Sequence, residues 1–159
     1  MTIPMRSILS RKGWGATSVP PNEPLLSVTD TMVSNHIGAV TVLDEHGALL
    51  GLISERDIVT GLSEHHDEVA ELTAADVMKR DIHTCTPECT IIDALQMMTS
   101  YRTRHIPILE DGKLLGLVSI GDLVKYRLEE ADLFVEEMRA YVMQSDPGHD
   151  TSAGQFAAR

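Results

Sequence analysis

The chain is short of aromatic rings, cysteine, positive charge and long apolar runs. Aromatic residues make up 4% of its 159 positions, within a hydrophobic total of 43%. Leu, Ile, Val and Met must therefore pack the core. Two cysteines, Cys85 and Cys89, are too few for a disulfide framework and fit reduced thiols. Lys and Arg number 13 against 24 Asp and Glu, a net charge of −11. Nucleic acid and anionic membranes require clustered cations, so neither is an expected partner. No apolar run approaches the ~18 residues that cross a bilayer. The opening MTIPMRSILSRKG lacks the continuous apolar stretch of a signal peptide. These absences together imply a soluble cytoplasmic protein.

What the chain does contain is a copy of itself. GLISERDIV (51–59) and GLVSIGDLV (116–124) agree at five of nine positions. A shift of 66 superposes Pro21 on Pro87, Met32 on Met98, and Val40-Thr41-Val42-Leu43 on Ile106-Pro107-Ile108-Leu109. One residue is lost where DEHG (44–47) meets EDG (110–112), and the shift then becomes 65. A unit this long is a duplicated half-domain rather than a solenoid repeat.

Each copy reads alike. A short helix or turn (5–9; 74–78) precedes a brief extended piece. A helix follows, marked by Leu25, Val28 and Met32 in one copy and by Ile91, Ala94, Leu95 and Met98 in the other. Next comes a hairpin turning at Gly47 or Asp111-Gly112. A last helix begins at Ser-x-x-Asp. The expected order is strand, helix, strand, strand, helix, twice. The expected divisions are a first repeat (1–63), a linker (64–73) and a second repeat with an extended helix (74–143). A disordered tail (144–159) completes the chain. Val124, Leu128, Ala131, Val135, Met138 and Val142 step by four and three, a heptad seam that predicts a homodimer. The other account of the seam is a helix folded back on its own core.

The Ser-x-x-Asp pair carries two meanings. Ser54 with Asp57, and Ser119 with Asp122, each form a helix capping box. The same geometry suits a ligand. Helix N–H groups attract anions, and a carboxylate accepts from two neighbouring hydroxyls such as a ribose diol. The copies differ in charge. The second has Arg102, Arg104 and His105 where the first has His36, Gly38 and Ala39. Arg56, inside the first motif, faces Gly121 in the second. An arginine fork suits phosphate. The second copy is thus expected to supply most anion contacts, with Asp122→Ala costing more AMP affinity than Asp57→Ala.

The doubled unit closing on Gly-Leu-x-Ser-x-x-Asp resembles a tandem pair of CBS (cystathionine β-synthase) domains of the stand-alone bacterial type. IGAVTVL, RTRHIPIL and the Met-Lys-Arg-Asp-Ile ahead of the second copy add to the likeness, which covers about residues 3 to 143. The resemblance implies an α+β fold of two pseudo-twofold-related repeats with a long C-terminal helix. It also implies two clefts for an adenine nucleotide (AMP, ADP, ATP or NAD), no required cofactor and no catalysis. By that likeness Ser54 and Asp57 share the first cleft with Thr17 and Ser18. Ser119 and Asp122 share the second with His83 and Thr84. His36, Gly38, Ala39, Arg56, Arg102, Arg104, His105, Ile106 and Pro107 join the nucleotide-binding set. An unidentified downstream protein would read the occupancy.

Three rivals stand beside this account. His83, Cys85 and Cys89 are close in sequence, but no second cysteine pair completes a zinc site, and no metal is expected. No nucleophile elbow, P-loop or His-Glu-x-x-His signals an enzyme. A dimeric scaffold without ligand is the third.

Overall fold

The computed structural model describes residues 3–144. The expected tail, Gln144 apart, lies outside them. The chain divides after Leu123 into two compact units. The first holds α1 (Met5–Lys12), β1 (Ser18–Val19), α2 (Leu25–Ser34), β2 (Ala39–Leu43), β3 (Leu49–Ser54) and α3 (Glu55–His65). It continues through a 3-10 helix (His66–Glu71), α4 (Ala74–Val77), α5 (Ile91–Ser100), β4 (His105–Glu110) and β5 (Lys113–Ser119). The last helix, α6 (Ile120–Gln144), starts in the first unit and carries the described part of the second.

The architecture is α+β, as expected. In one sheet β1 runs parallel to β2, and β2 pairs antiparallel with β3. Ala39, Val40, Thr41 and Val42 of the central β2 are all buried. The other sheet has two strands, β4 and β5. Three were expected. The third is a single bridge between Cys85 and Ile108. The cause is one residue. In the first copy the Thr41 N–H donates to the Thr17 carbonyl at 3.1 Å. Pro107 stands at the matching place and has no N–H to donate.

Local signals hold elsewhere. Leu25, Val28 and Met32 face inward from α2, and Ile91, Ala94 and Met98 from α5. Asp111 and Gly112 both take positive φ (50° and 76°), the two-residue hairpin turn that Asp-Gly favours.

The short helices, however, trade places. Met5 N–H donates to the Cys89 carbonyl and Arg6 N–H to the Pro87 carbonyl. Ile91 N–H returns a bond to the Ile3 carbonyl. So α1, first in sequence, docks on the second copy. In the same way α4 docks on the first: Ala74 bonds Glu23, Ala75 bonds Pro21, and Leu25 returns to Leu72. The first copy's core accordingly includes Leu72, Ala74 and Met78.

This exchange accounts for the glycine that opens each nine-residue repeat. A Cβ on Gly51 would lie 2.5 Å from Met78 Sδ, and one on Gly116 2.6 Å from Leu9 Cδ2. Both strands need bare backbone where the visiting helix lands.

In α6 the seam positions Val124, Leu128, Val135, Met138 and Val142 are 46–67% exposed. Leu133, Phe134, Tyr141 and Met143 are exposed too, so apolar surface on this helix extends beyond the seam. Among the described residues no helix is long and apolar enough to cross a membrane.

Candidate functional site

Two clefts open on the first unit. Cleft A, about 680 Å³, is lined from Lys12 through Thr17, from His36 through Ala39, and by His105, Leu117, Ser119 and Asp122. Cleft B, about 560 Å³, is lined by Ser54 through Asp57, Leu52, Lys79, Met98, Thr99, Arg102 through His105, Ile120 and Gly38.

Gly38 and His105 line both clefts and so form their common wall. A Cβ at Gly38 would sit 3.6 Å from the His105 ring. Burial, with the charges of Lys12 and Arg104, pulls His105 below the ordinary histidine value against the opposing pull of Asp122 and Glu55. Its neutral form is favoured.

Each motif carboxylate does the work of a cap. Asp57 Oδ2 accepts from the Ser54 N–H at 2.8 Å and the Ser54 hydroxyl at 2.6 Å. Asp122 Oδ2 accepts from the Ser119 N–H at 2.8 Å and its hydroxyl at 2.9 Å. The same box recurs at Thr73–Asp76 and Thr90–Asp93, away from both clefts. Capping alone therefore does not single out a ligand site. Two things set Asp57 and Asp122 apart. They line clefts, and each meets a lysine at or just past the end of an exchanged helix. Lys79 Nζ lies 3.3 Å from Asp57 Oδ1, and Lys12 Nζ lies 2.5 Å from Asp122 Oδ2. Burial raises the Asp122 carboxyl, but the Lys12 and Ser119 bonds outweigh it and hold the group below the usual carboxylate range.

The helix ends offer an anion less than their sequence suggests. Glu55 N–H donates to the Gly38 carbonyl and Ile120 N–H to the Arg104 carbonyl. Asp57 and Asp122 N–H are taken by the serine hydroxyls. Charge recognition falls to side chains instead.

The expected groupings are crossed. Thr17 lies in cleft A with Ser119 and Asp122, not with Ser54 and Asp57. The reason is the exchange: after α1, Gly15 pairs with Gly116 of β5 before the chain reaches β1. Ser18 lines neither cleft. Its hydroxyl is 2.7 Å from Thr41 Oγ1. His83 and Thr84 also line neither, and His83 stacks on Tyr101 at 3.4 Å. Ile106 and Pro107 are buried within β4. His36 and Ala39 line cleft A, and Arg56 lines cleft B. The arginine fork, assigned from sequence to the cleft of Asp122, faces that of Asp57, because Arg102 and Arg104 line cleft B. The arginines that motivated ranking Asp122 over Asp57 for AMP thus stand beside Asp57.

His36 and Arg102 share a further feature. They are counterparts, and both carry positive φ (52° and 50°) just past α2 and α5. Ile37 N–H reaches back to Met32 O and Thr103 N–H to Met98 O, a helix-ending pattern that usually holds glycine. A side chain is kept there at a backbone cost, and both side chains line clefts.

Sequence inspection missed Lys12, Trp14 and Lys79. The available signal was the Met-Lys-Arg run after α4, whose lysine faces the cleft.

The CBS domain family matches twice, over residues 6–64 and 74–129. The CBS domain-containing protein CBSX3, mitochondrial, of Arabidopsis thaliana is 32% identical over 128 residues, 76% of this chain and 61% of that protein. The chain thus spans less than two thirds of that relative's length. The CBS-domain containing protein ATU1752 of Agrobacterium tumefaciens superposes with a TM-score of 0.76 at 32% identity, covering 79% of this chain and 99% of that one. The CBS domain pair of protein MJ0100, solved in complex with 5′-methylthioadenosine and S-adenosyl-L-methionine, gives 0.73 at 19% identity, covering 82% and 99%. That last likeness is one of fold.

Proposed function

The chain belongs to the CBS-domain family, and from that premise we propose that it is a non-enzymatic regulatory module for adenine nucleotides. AMP, ADP, ATP or NAD is the ligand. Occupancy is passed to a separate protein as a change of shape, in the cytoplasm. One observation carries this. In cleft B the buried Asp57 carboxylate shares a wall with Arg56, Lys79, Arg102 and Arg104. A diol acceptor beside a cluster of cations matches a ribose joined to phosphate. The adenosine compounds bound by MJ0100 support the same ligand class.

The chain acts as a homodimer in this account. The support is the exposed seam of α6, whose four-and-three spacing is self-complementary to a second copy. A charge placed at Leu128 and Val135 should shift sedimentation to the monomer. Transmission requires different ligand affinity in two conformations, and α6 and the linker (64–73) are the elements assigned to it.

The test is a melting panel. AMP at one hundred times its Kd should stabilise the protein by about 2.7 kcal/mol, and Arg104→Ala should diminish the shift. A protein whose melting point ignores AMP, ADP, ATP and NAD alike is a scaffold, and the proposal fails. Consumption of the nucleotide would make it an enzyme.

A further inference from the structure

The two clefts share a wall but not a charge. Cleft B is lined by Arg56, Lys79, Arg102 and Arg104 against Glu55 and Asp57, a surplus of two positive charges by subtraction. Cleft A is lined by one lysine and one carboxylate, Lys12 and Asp122. These two are spent on each other at 2.5 Å. Lys12 is also held by the Leu117 carbonyl at 2.7 Å. It cannot turn to a phosphate without leaving both partners. The remaining titratable lining is two imidazoles, His36 and His105, and burial favours the neutral form of His105, the shared wall.

Cleft A instead has an aromatic ring. Trp14, the sole tryptophan of the chain, lines it and is 52% exposed. A half-exposed indole offers a stacking face for a purine. Asp122 keeps one carboxylate oxygen outside its cap for a hydroxyl. Base stacking, a hydroxyl acceptor and no unpaired lysine or arginine in the lining describe a nucleoside without phosphate.

We propose that the clefts divide their ligands by charge: cleft B takes the nucleotide, and cleft A takes an adenine nucleoside that carries no phosphate, stacked on Trp14. The division rests on the nucleotide-sensing account above and refines it. Each cleft then reports a different chemical state of the same base, so the module compares phosphorylated with unphosphorylated adenosine rather than measuring one of them.

Trp14 makes the test direct, because its fluorescence reports cleft A alone. Adenosine and AMP are titrated separately at pH 8, where an ordinary imidazole is neutral. Trp14 emission follows one cleft and calorimetry follows both. Adenosine should change the emission with an affinity at least about tenfold tighter than AMP, because the phosphate of AMP would lose water beside the Lys12–Asp122 pair with no unpaired lysine or arginine to meet it. Arg104→Ala, an exposed substitution, should weaken AMP heat while leaving the adenosine response intact. Trp14→Phe should weaken adenosine and spare AMP. If AMP shifts Trp14 emission as tightly as adenosine does, or if adenosine leaves it unchanged while AMP heat persists, the division is wrong and nucleotide sensing survives. If neither ligand gives heat or emission change, both proposals fall together.

Discussion

Lys12, at the end of α1, bonds Asp122, at the start of α6, across 110 positions of sequence at 2.5 Å. Its counterpart, Lys79 with Asp57, spans 3.3 Å on the other side. Each exchanged helix thus brings a cation to the carboxylate of the copy on which it docks.

Lys12→Met should cost about 0.5–1 kcal/mol, since the pair is partly exposed. The effect depends on pH. The folded Asp122 carboxyl is held below its usual value, so its contribution is full above the unfolded pKa and fades as pH falls through the folded one. Denaturant melts from pH 7 to pH 2 should show the variant and the parent converging in acid. A gap that widens in acid would contradict the pairing.

Asp57→Asn should weaken AMP more than Asp122→Asn, by roughly ten- to a hundredfold, the loss of one charged acceptor (about 1.5–3 kcal/mol). Asp57 is 7% exposed and shares its cleft with three arginines. Calorimetry on both variants, with melting curves to show that each folds, decides the order.

Gly51→Ala and Gly116→Ala should each destabilise by about 1–3 kcal/mol through overpacking. Gly51 sits against Met78, whose Sδ, Cγ and Cβ all lie within 2.9 Å of the added carbon. Combining Gly51→Ala with Met78→Ala should cost less than the two changes summed. Simple additivity would mean that the helix exchange is not what the glycine serves.

Arg102→Gly should raise stability by roughly 0.5–1 kcal/mol, because glycine relieves the left-handed backbone at φ 50°. The same change should weaken AMP binding, since Arg102 lines cleft B. A melting curve and a titration on one sample check both. A variant that loses stability would show that the arginine side chain supports the fold.

Cys85 is buried, and burial with its Cys89 neighbour pushes its thiol up to about 12. Iodoacetamide at pH 8 should alkylate the half-buried Cys89 and leave Cys85 untouched until the protein unfolds. Peptide mapping before and after denaturant gives the answer.

Much of the fold was legible along the chain. The repeat, the buried faces of α2 and α5, the Asp111-Gly112 turn and the capping boxes all rest on residues within a few positions of one another. Periodicity and turn chemistry act at that range. The Pro107 effect was readable too, as a missing donor, but only once its partner carbonyl was known.

The sequence by itself determined that there are two like halves, with an acid at the head of each closing helix. Only the tertiary structure decided which half each short helix serves. That choice brought Thr17 to Asp122, Lys79 to Asp57 and the arginines to cleft B. Nothing local encodes it, because docking depends on a shaped pairing between distant surfaces: Leu9 over Gly116, Met78 over Gly51. Those contacts exist only after both sheets have formed.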